Sequence, residues 1–268
     1  MQIPAFPADA NTDEVAAALN EAGAVVINNA MDDVTRASVR EELAPYMEAV
    51  RVAESDSPED FYPGRTRRAS ALMANSDTAR GLAMNETSKA LCDRFLKPNA
   101  RGGYQLHVTA ALEVGPGARK QVLHREEDPF SFFPAPRPNM ILASMWAVSD
   151  FRADNGATLI VPTSHTWEEG RTAEEHEVLS AEMPAGSVLY WMGGTLHGAG
   201  ANTSEDWRYG VILTYSLGWL RQEENQYLDV PPELAATLDP ELRELIGYNM
   251  YGGSLGFSVN SMVGTPDQ

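Results

Sequence analysis

A single cysteine, Cys92, stands in 268 residues. It excludes an internal disulfide and a cysteine-based metal site, and it suits a reducing compartment. Basic residues are also scarce. Twenty Lys and Arg face 38 Asp and Glu, a formal net charge of −18. Nucleic-acid phosphates and anionic membrane surfaces would repel such a chain. No apolar run approaches the length of a membrane span. The opening residues MQIPAFPADANTDE lack a charged n-region and an apolar h-region, so no secretory signal is expected. What remains is ordinary apolar content and a length that suits one large domain. The expectation is an acidic, soluble, cytoplasmic protein.

Residues 11–29 read as a capped helix ended by Gly23 and followed by the short strand AVVINN. Residues 32–50 read as a second helix, bent or broken at Pro45. A polar loop is expected over 55–68 and a further helix over 77–96. The character changes near Gly102. YQLHVTAALEV, QVLH, NMILASMWAVSD, ATLIVP, SVLYWM and YGVILTYSLGW are short runs rich in β-branched and aromatic residues, separated by turn formers. That pattern predicts an antiparallel sandwich or barrel. Residues 231–248 return to helix. The predicted architecture is mainly β with flanking helices in one domain over 1–268. A mainly helical part (1–100) packs on a β core (101–220), and a helical tail (221–268) follows.

Within QVLHREEDPF, residues 121–130, a histidine precedes three acids. On a strand, His124 and Glu126 would share one face while Arg125 pointed away. A second histidine from another strand would complete a facial set of two His and one carboxylate. Such a set leaves coordination positions open and suits non-haem Fe(II). Alone, H-x-E arises often by chance. Only five histidines exist. His107 sits in a strand and reads as a core residue, His165 as a turn residue and His176 as a solvated helix residue. His197, among glycines in WMGGTLHGAGAN, is the best-placed third ligand. Arg208 follows eleven residues later. The arms around 187–200 and 207–219 look like a hairpin. On the second arm, Arg208, Gly210, Ile212, Thr214 and Ser216 share a small-residue face fit to line a cavity. There a guanidinium could grip a carboxylate in a bidentate fork; a surface arginine or a structural salt bridge is the plainer alternative.

These segments together resemble the phytanoyl-CoA dioxygenase-like branch of the Fe(II)/2-oxoglutarate-dependent dioxygenases. The matching stretches are Q-V-L-H-R-E (121–126), N-G-A-T-L-I-V-P-T-S-H (155–165), G-S-V-L-Y-W (186–191), L-H-G-A-G-A-N (196–202) and R-Y-G (208–210). The resemblance implies a double-stranded β-helix, a jelly-roll barrel. It implies Fe(II) on His124, Glu126 and His197, and Arg208 on the distal carboxylate of 2-oxoglutarate. Thr158 and Gln121 would hydrogen-bond that cosubstrate, and O2 would be the oxidant. The product set would be an oxidised small molecule, succinate and CO2. Two departures stand out. Glu126 replaces the usual Asp, and PTSH replaces the usual PGSH. Halogenating relatives lack the carboxylate that is present here.

For the substrate, FYPGRTRRASALMANS (61–76) offers Tyr62, Arg67, Arg68 and Met73. DPFSFFPAPRPN (128–139) offers Phe130, Phe132 and Phe133. These segments are expected to cover an apolar cavity with Trp191 in its wall. Core packing for Phe132 and Phe133, and surface or salt-bridged roles for the arginines, stand beside that reading. The aromatics point to a lipophilic substrate such as a terpenoid, polyketide, alkaloid or aromatic acid. A non-catalytic metal-binding barrel and a zinc hydrolase are the rival functions. Neither has a use for Arg208. Monomer and homodimer are equally compatible with the sequence.

Overall fold

Period-two alternation along the longest strands decides the architecture. The computed structural model describes residues 2–54, 57 and 60–258. In order they form β1 (Ala5–Pro7), α1 (Thr12–Ala22), β2 (Ala24–Asn28), α2 (Asp33–Ala49), β3 (Thr66–Ala69), α3 (Leu72–Asn75), α4 (Asp77–Ala83) and α5 (Glu86–Phe95). There follow β4 (Tyr104–Val114), β5 (Ile141–Ala147), β6 (Thr158–Ile160), β7 (Leu179–Ser180), β8 (Val188–Met192), β9 (His197–Ala199) and β10 (Arg208–Leu217). The tail holds α6 (Gln226–Asp229), α7 (Pro232–Ala235) and α8 (Pro240–Ile246). One sheet has seven strands in the order β1-β2-β8-β5-β10-β4-β3, the other three in the order β7-β6-β9. The two sheets enclose the interior without a continuous ladder, so the jelly roll is not a closed barrel.

Along β10, Tyr209, Val211, Leu213, Tyr215 and Leu217 join a core that also holds Val15, Leu19, Leu43, Leu91 and Phe95 of the helices. The opposite face of the same sheet buries Val26, Val108, Met145, Leu189, Trp191 and Ile212 with Ile160 of the smaller sheet. The helices thus cover one face, and the cavity lies against the other. Asn11 caps α1 by accepting from the Asp13 N–H, and Gly23 ends it at φ 80°.

Several local expectations need correction. The helix α2 runs unbroken through Pro45, because buried Val39, Leu43 and Met47 hold it against its neighbours. The predicted helix 77–96 is two helices, since Asn85 turns its side chain onto the Thr87 and Ser88 N–H groups and starts α5. Asp239 does the same for α8 and divides the predicted 231–248 helix. Residues 66–68 of the predicted loop pair with β4 as β3. Residues 55, 56, 58 and 59 of that loop lie outside the described residues. The proposed hairpin does not exist. The strand β8 pairs with β2 and β5, β9 with β6, and β10 with β4 and β5. Register between distant strands is not written in local alternation.

The PTSH departure has a visible cost. Thr163 sits at φ 65°, a left-handed conformation that a β-branched residue tolerates poorly. Thr163→Asn, which accepts that conformation, is expected to raise stability by about 1 kcal/mol. A shift of the urea midpoint at unchanged slope would show it.

Candidate active site

Residues 121–127 do not form the continuous strand expected of them. His124 makes one isolated antiparallel bridge with His197. Each backbone N–H donates to the other's carbonyl, at 2.9 and 3.0 Å. The bridge sets the two rings side by side, with centroids 4.3 Å apart. The chain then turns, and alternate residues pin the turn. Arg125 donates to the carbonyls of Gly194 and Ser164 at 2.8 and 3.3 Å. The half-buried Glu127 carboxylate accepts from the Met140 and Ile141 N–H groups at 2.9 and 3.2 Å. Gly193 is required here, since a Cβ would stand 2.8 Å from that carboxylate. Held this way, Glu126 still faces inward beside His124, although the strand has ended.

His124, Glu126 and His197 bring one ligand atom each to within 4.8 Å of one another. Their outer hydrogen bonds suit a metal. His124 Nδ1 lies 3.0 Å from the Val122 carbonyl, and His197 Nδ1 lies 3.0 Å from the Thr195 carbonyl. A carbonyl only accepts, so each Nδ1 carries the proton and each Nε2 keeps its lone pair for an ion. His197 Nε2 is 3.1 Å from Glu126 Oε1. Burial raises the Glu126 pKa, but in acid a protonated ring can donate to the carboxylate and set positive charge beside it, which outweighs burial and draws the carboxyl down to about 2. It is therefore ionised at neutral pH. Burial, aided by the neighbouring His197, holds the His124 ring near pKa 4 and so neutral. This donor set, two imidazoles and one carboxylate on one side, fits a divalent iron-type ion.

Above the three residues opens a cavity of about 450 Å³ between the sheets. Arg208, Thr158, Gln121, Tyr62, Arg67, Arg68 and Trp191 all line it. Arg208 is the unusual member. It is 2 % exposed, and its guanidinium lies 4.5 Å over the Phe151 ring. Nε donates to the Gly156 carbonyl at 3.0 Å, while Nη1 is buried with no partner among the described residues. Burial lowers its pKa to about 10, which still leaves it charged at neutral pH. A buried cation without an anion is costly. This one faces the same cavity as the metal-ligand set. Gln121 is tied to β9, its side-chain oxygen accepting from the Ala199 N–H at 3.0 Å.

The substrate-side expectations divide. Arg67 meets Glu113 at 3.1 Å and lies over Trp207, and Arg68 meets the Tyr62 hydroxyl at 2.6 Å and Glu223 at 3.6 Å. Met73 does not line the cavity. It is fully buried in the helix-side core, because the chain leaves the cavity after β3 to form α3. Phe130 also misses it, packing on that core while Asp128 and Pro129 take the lining positions. Phe132 is 75 % exposed and stacks on Phe133. An aromatic that the sequence reading did not single out, Phe61, approaches the ligand set, its ring 4.7 Å from His124. It adjoins Tyr62 in the sequence, and that adjacency was its only signal.

The family profile described as Phytanoyl-CoA dioxygenase (PhyH) matches residues 19–210. The chain belongs to the phytanoyl-CoA dioxygenase family. It is thereby a member of the Fe(II)/2-oxoglutarate-dependent oxygenases. Among relatives, it is 31 % identical to "Dioxygenase swnH2" of Arthroderma benhamiae, over 93 % of this chain and 84 % of that protein. It is 32 % identical to "Multifunctional dioxygenase prhA" of Penicillium brasilianum, over 91 % of this chain and 85 % of that one. The fold is similar to that of HygX from Streptomyces hygroscopicus, solved with nickel and 2-oxoglutarate bound. The TM-score is 0.63 at 17 % identity, over 80 % of this chain and 91 % of that one. It is also similar to the epimerase SnoN, solved with Fe3+, α-ketoglutarate and nogalamycin RO. There the TM-score is 0.59 at 20 % identity, over 76 % and 83 % of the two chains.

His107 has no assigned task in this family site, yet it is 2 % exposed with an unpartnered Nδ1. Burial lowers its pKa to about 4, against 6.5 unperturbed. Between those values the unfolded chain takes up a proton on this ring that the folded chain refuses. Stability is therefore complete above pH 6.5 and falls as pH drops toward 4. His107→Leu is expected to flatten that loss, measured as urea midpoints of metal-free protein at pH 7 and pH 5.

Proposed function

We propose that this chain oxidises a C–H bond of a lipophilic, uncharged small molecule, most simply by hydroxylation, consuming 2-oxoglutarate and O2 and releasing succinate and CO2. His124, Glu126 and His197 would hold Fe(II), which supplies the oxygen-activating chemistry when bound. Arg208 would grip the distal carboxylate of 2-oxoglutarate with Nη1, and its Nε bond to Gly156 fixes the angle of approach. Thr158 and the amide of Gln121 would add neutral hydrogen bonds from the β6–β9 side. The observation that carries this reading is the unpaired Arg208 cation in the cavity of the ligand set. A zinc hydrolase or a metal sensor leaves that cation unexplained.

The substrate class follows from what remains of the lining. Val108, Leu112, Met145, Ile212 and Phe61 present apolar surface. Arg67 and Arg68 are matched by Glu113 and Glu223, so neither offers a free charge to an anionic substrate. A coenzyme A thioester, with its several phosphates, would meet Glu113, Glu126, Asp128 and Glu223 in the same lining and a strongly acidic chain. The names of the relatives swnH2 and prhA are those of dioxygenases, which supports the same reading. No helix among the described residues is long and apolar enough to cross a membrane.

The test is anaerobic. Fe(II) and then 2-oxoglutarate are added to metal-free protein, and a weak visible charge-transfer band of the chelated keto acid is sought. Its appearance, followed by O2-dependent succinate formation, would support the reading. Stoichiometric Fe(II) binding with no band at saturating 2-oxoglutarate would sink it.

A further inference from the structure

Trp191 lies on β8 with its ring in the cavity-side core. It is fully buried, and its indole N–H has no acceptor among the described residues. An indole nitrogen can only donate. Trp146, one layer away, donates to Ser144 Oγ at 3.2 Å, and Trp219 donates to the Asn99 carbonyl at 3.3 Å. Burying an N–H without a partner costs free energy that a smaller apolar ring would not. A phenylalanine would fill most of the same space. The N–H of Trp191 is therefore unexplained by packing, and it belongs to a residue that lines the cavity.

Its position selects the acceptor. Trp191 stands opposite Ala143 on β5, and Ala143 stands opposite Thr214 on β10. Arg208 is six residues away on that strand, roughly 20 Å along the backbone. The Trp191 ring is instead 4.9 Å from the His197 ring. It thus borders the metal-ligand end of the cavity, while Arg208 occupies the other. Trp191 Nε1 and Arg208 Nη1 are donors without a partner among the described residues, and each belongs to a residue that lines this cavity. A molecule with oxygen acceptors at both ends would satisfy both. We infer that Trp191 is a cosubstrate-positioning residue. Its indole N–H donates to an oxygen of the keto-acid end of 2-oxoglutarate, opposite the carboxylate that Arg208 takes. This rests on the cosubstrate proposed above.

The experiment uses protein carrying ¹⁵N in its tryptophan side chains and loaded with diamagnetic Zn(II). The chain has five tryptophans, hence five indole cross-peaks. The one missing in Trp191→Phe is Trp191; should that variant not fold, Trp→Phe changes at the other four identify it by elimination. On adding 2-oxoglutarate, the Trp191 proton should move downfield and exchange more slowly with water. Trp146→Phe should leave that response unchanged. In calorimetric titrations of the Zn(II) protein, Trp191→Phe should raise the half-saturating 2-oxoglutarate concentration roughly 10-fold without weakening metal binding. Calorimetric binding of 2-oxoglutarate with the Trp191 resonance unmoved would overturn this inference and leave the proposed function standing. No binding of 2-oxoglutarate to wild-type protein would take down that proposal, and this inference with it.

Discussion

Arg208→Met should raise the half-saturating 2-oxoglutarate concentration by ~30-fold to roughly a few thousand-fold while leaving Fe(II) binding intact. The range follows from about 2–5 kcal/mol for truncating one partner of a buried charge pair, at about 1.4 kcal/mol per decade. The ligand-free protein should respond with the opposite sign. There the guanidinium is a buried cation with one carbonyl bond and no anion. Methionine keeps the bulk and removes the charge. The metal-free, ligand-free fold should therefore be as stable as wild type or more so. Calorimetric titration and thermal melts with and without 2-oxoglutarate give both numbers. Wild-type affinity in Arg208→Met would remove the anion-site role. A large drop in ligand-free stability would make Arg208 a strut instead.

His197→Ala should have the largest effect on the metal. It removes one of three ligand atoms and also the ring that stabilises the Glu126 carboxylate. Losing an outer hydrogen bond to a ligand already costs about 10–100-fold in metal affinity. Losing the ligand itself should exceed ~100-fold on the same scale. The loss should appear in competition against a chromophoric Fe(II) chelator, and the keto-acid band should vanish with it. Unchanged affinity would mean that the ion sits elsewhere. The His124–His197 backbone bridge involves no side chain, so the variant should keep its fold.

Local alternation and short motifs were enough to single out Arg208, His124, Glu126 and His197, and the family resemblance added Thr158; all five line one cavity. Each sits on or beside a strand whose neighbours alternate cleanly, and β10 sorts its two faces from sequence alone. Glu126 lines the cavity, but strand alternation is not what aims it, since His124 makes only an isolated bridge. The inward aim comes from Arg125 and Glu127, whose partners lie near residues 140, 164 and 194. Those contacts are non-local and leave no periodic trace. Met73 was misassigned for a related reason. Nothing in RRASALMANS marks where the chain leaves the cavity for the core, because core and cavity walls are both apolar. The one strand pairing expected, a hairpin between the arms around 187–200 and 207–219, is absent, since β8, β9 and β10 are consecutive in sequence yet none pairs with the next.

The paired bonds from each Nδ1 to a carbonyl two residues earlier have a consequence for ion selectivity. Tautomers, ring angles and carboxylate ionisation are all settled when the chain folds, before any ion arrives. Such a receptor presents the same two nitrogens and one oxygen to every divalent metal. Intrinsic affinity then follows the general series, in which Co(II), Ni(II) and Cu(II) outrank Fe(II) and zinc falls below copper. As the metal ligands, these three residues would offer the chain little means of refusing another divalent ion. Its loading with iron is decided by which metals the surrounding compartment makes available, and nickel or cobalt in excess should occupy the site as inert competitors.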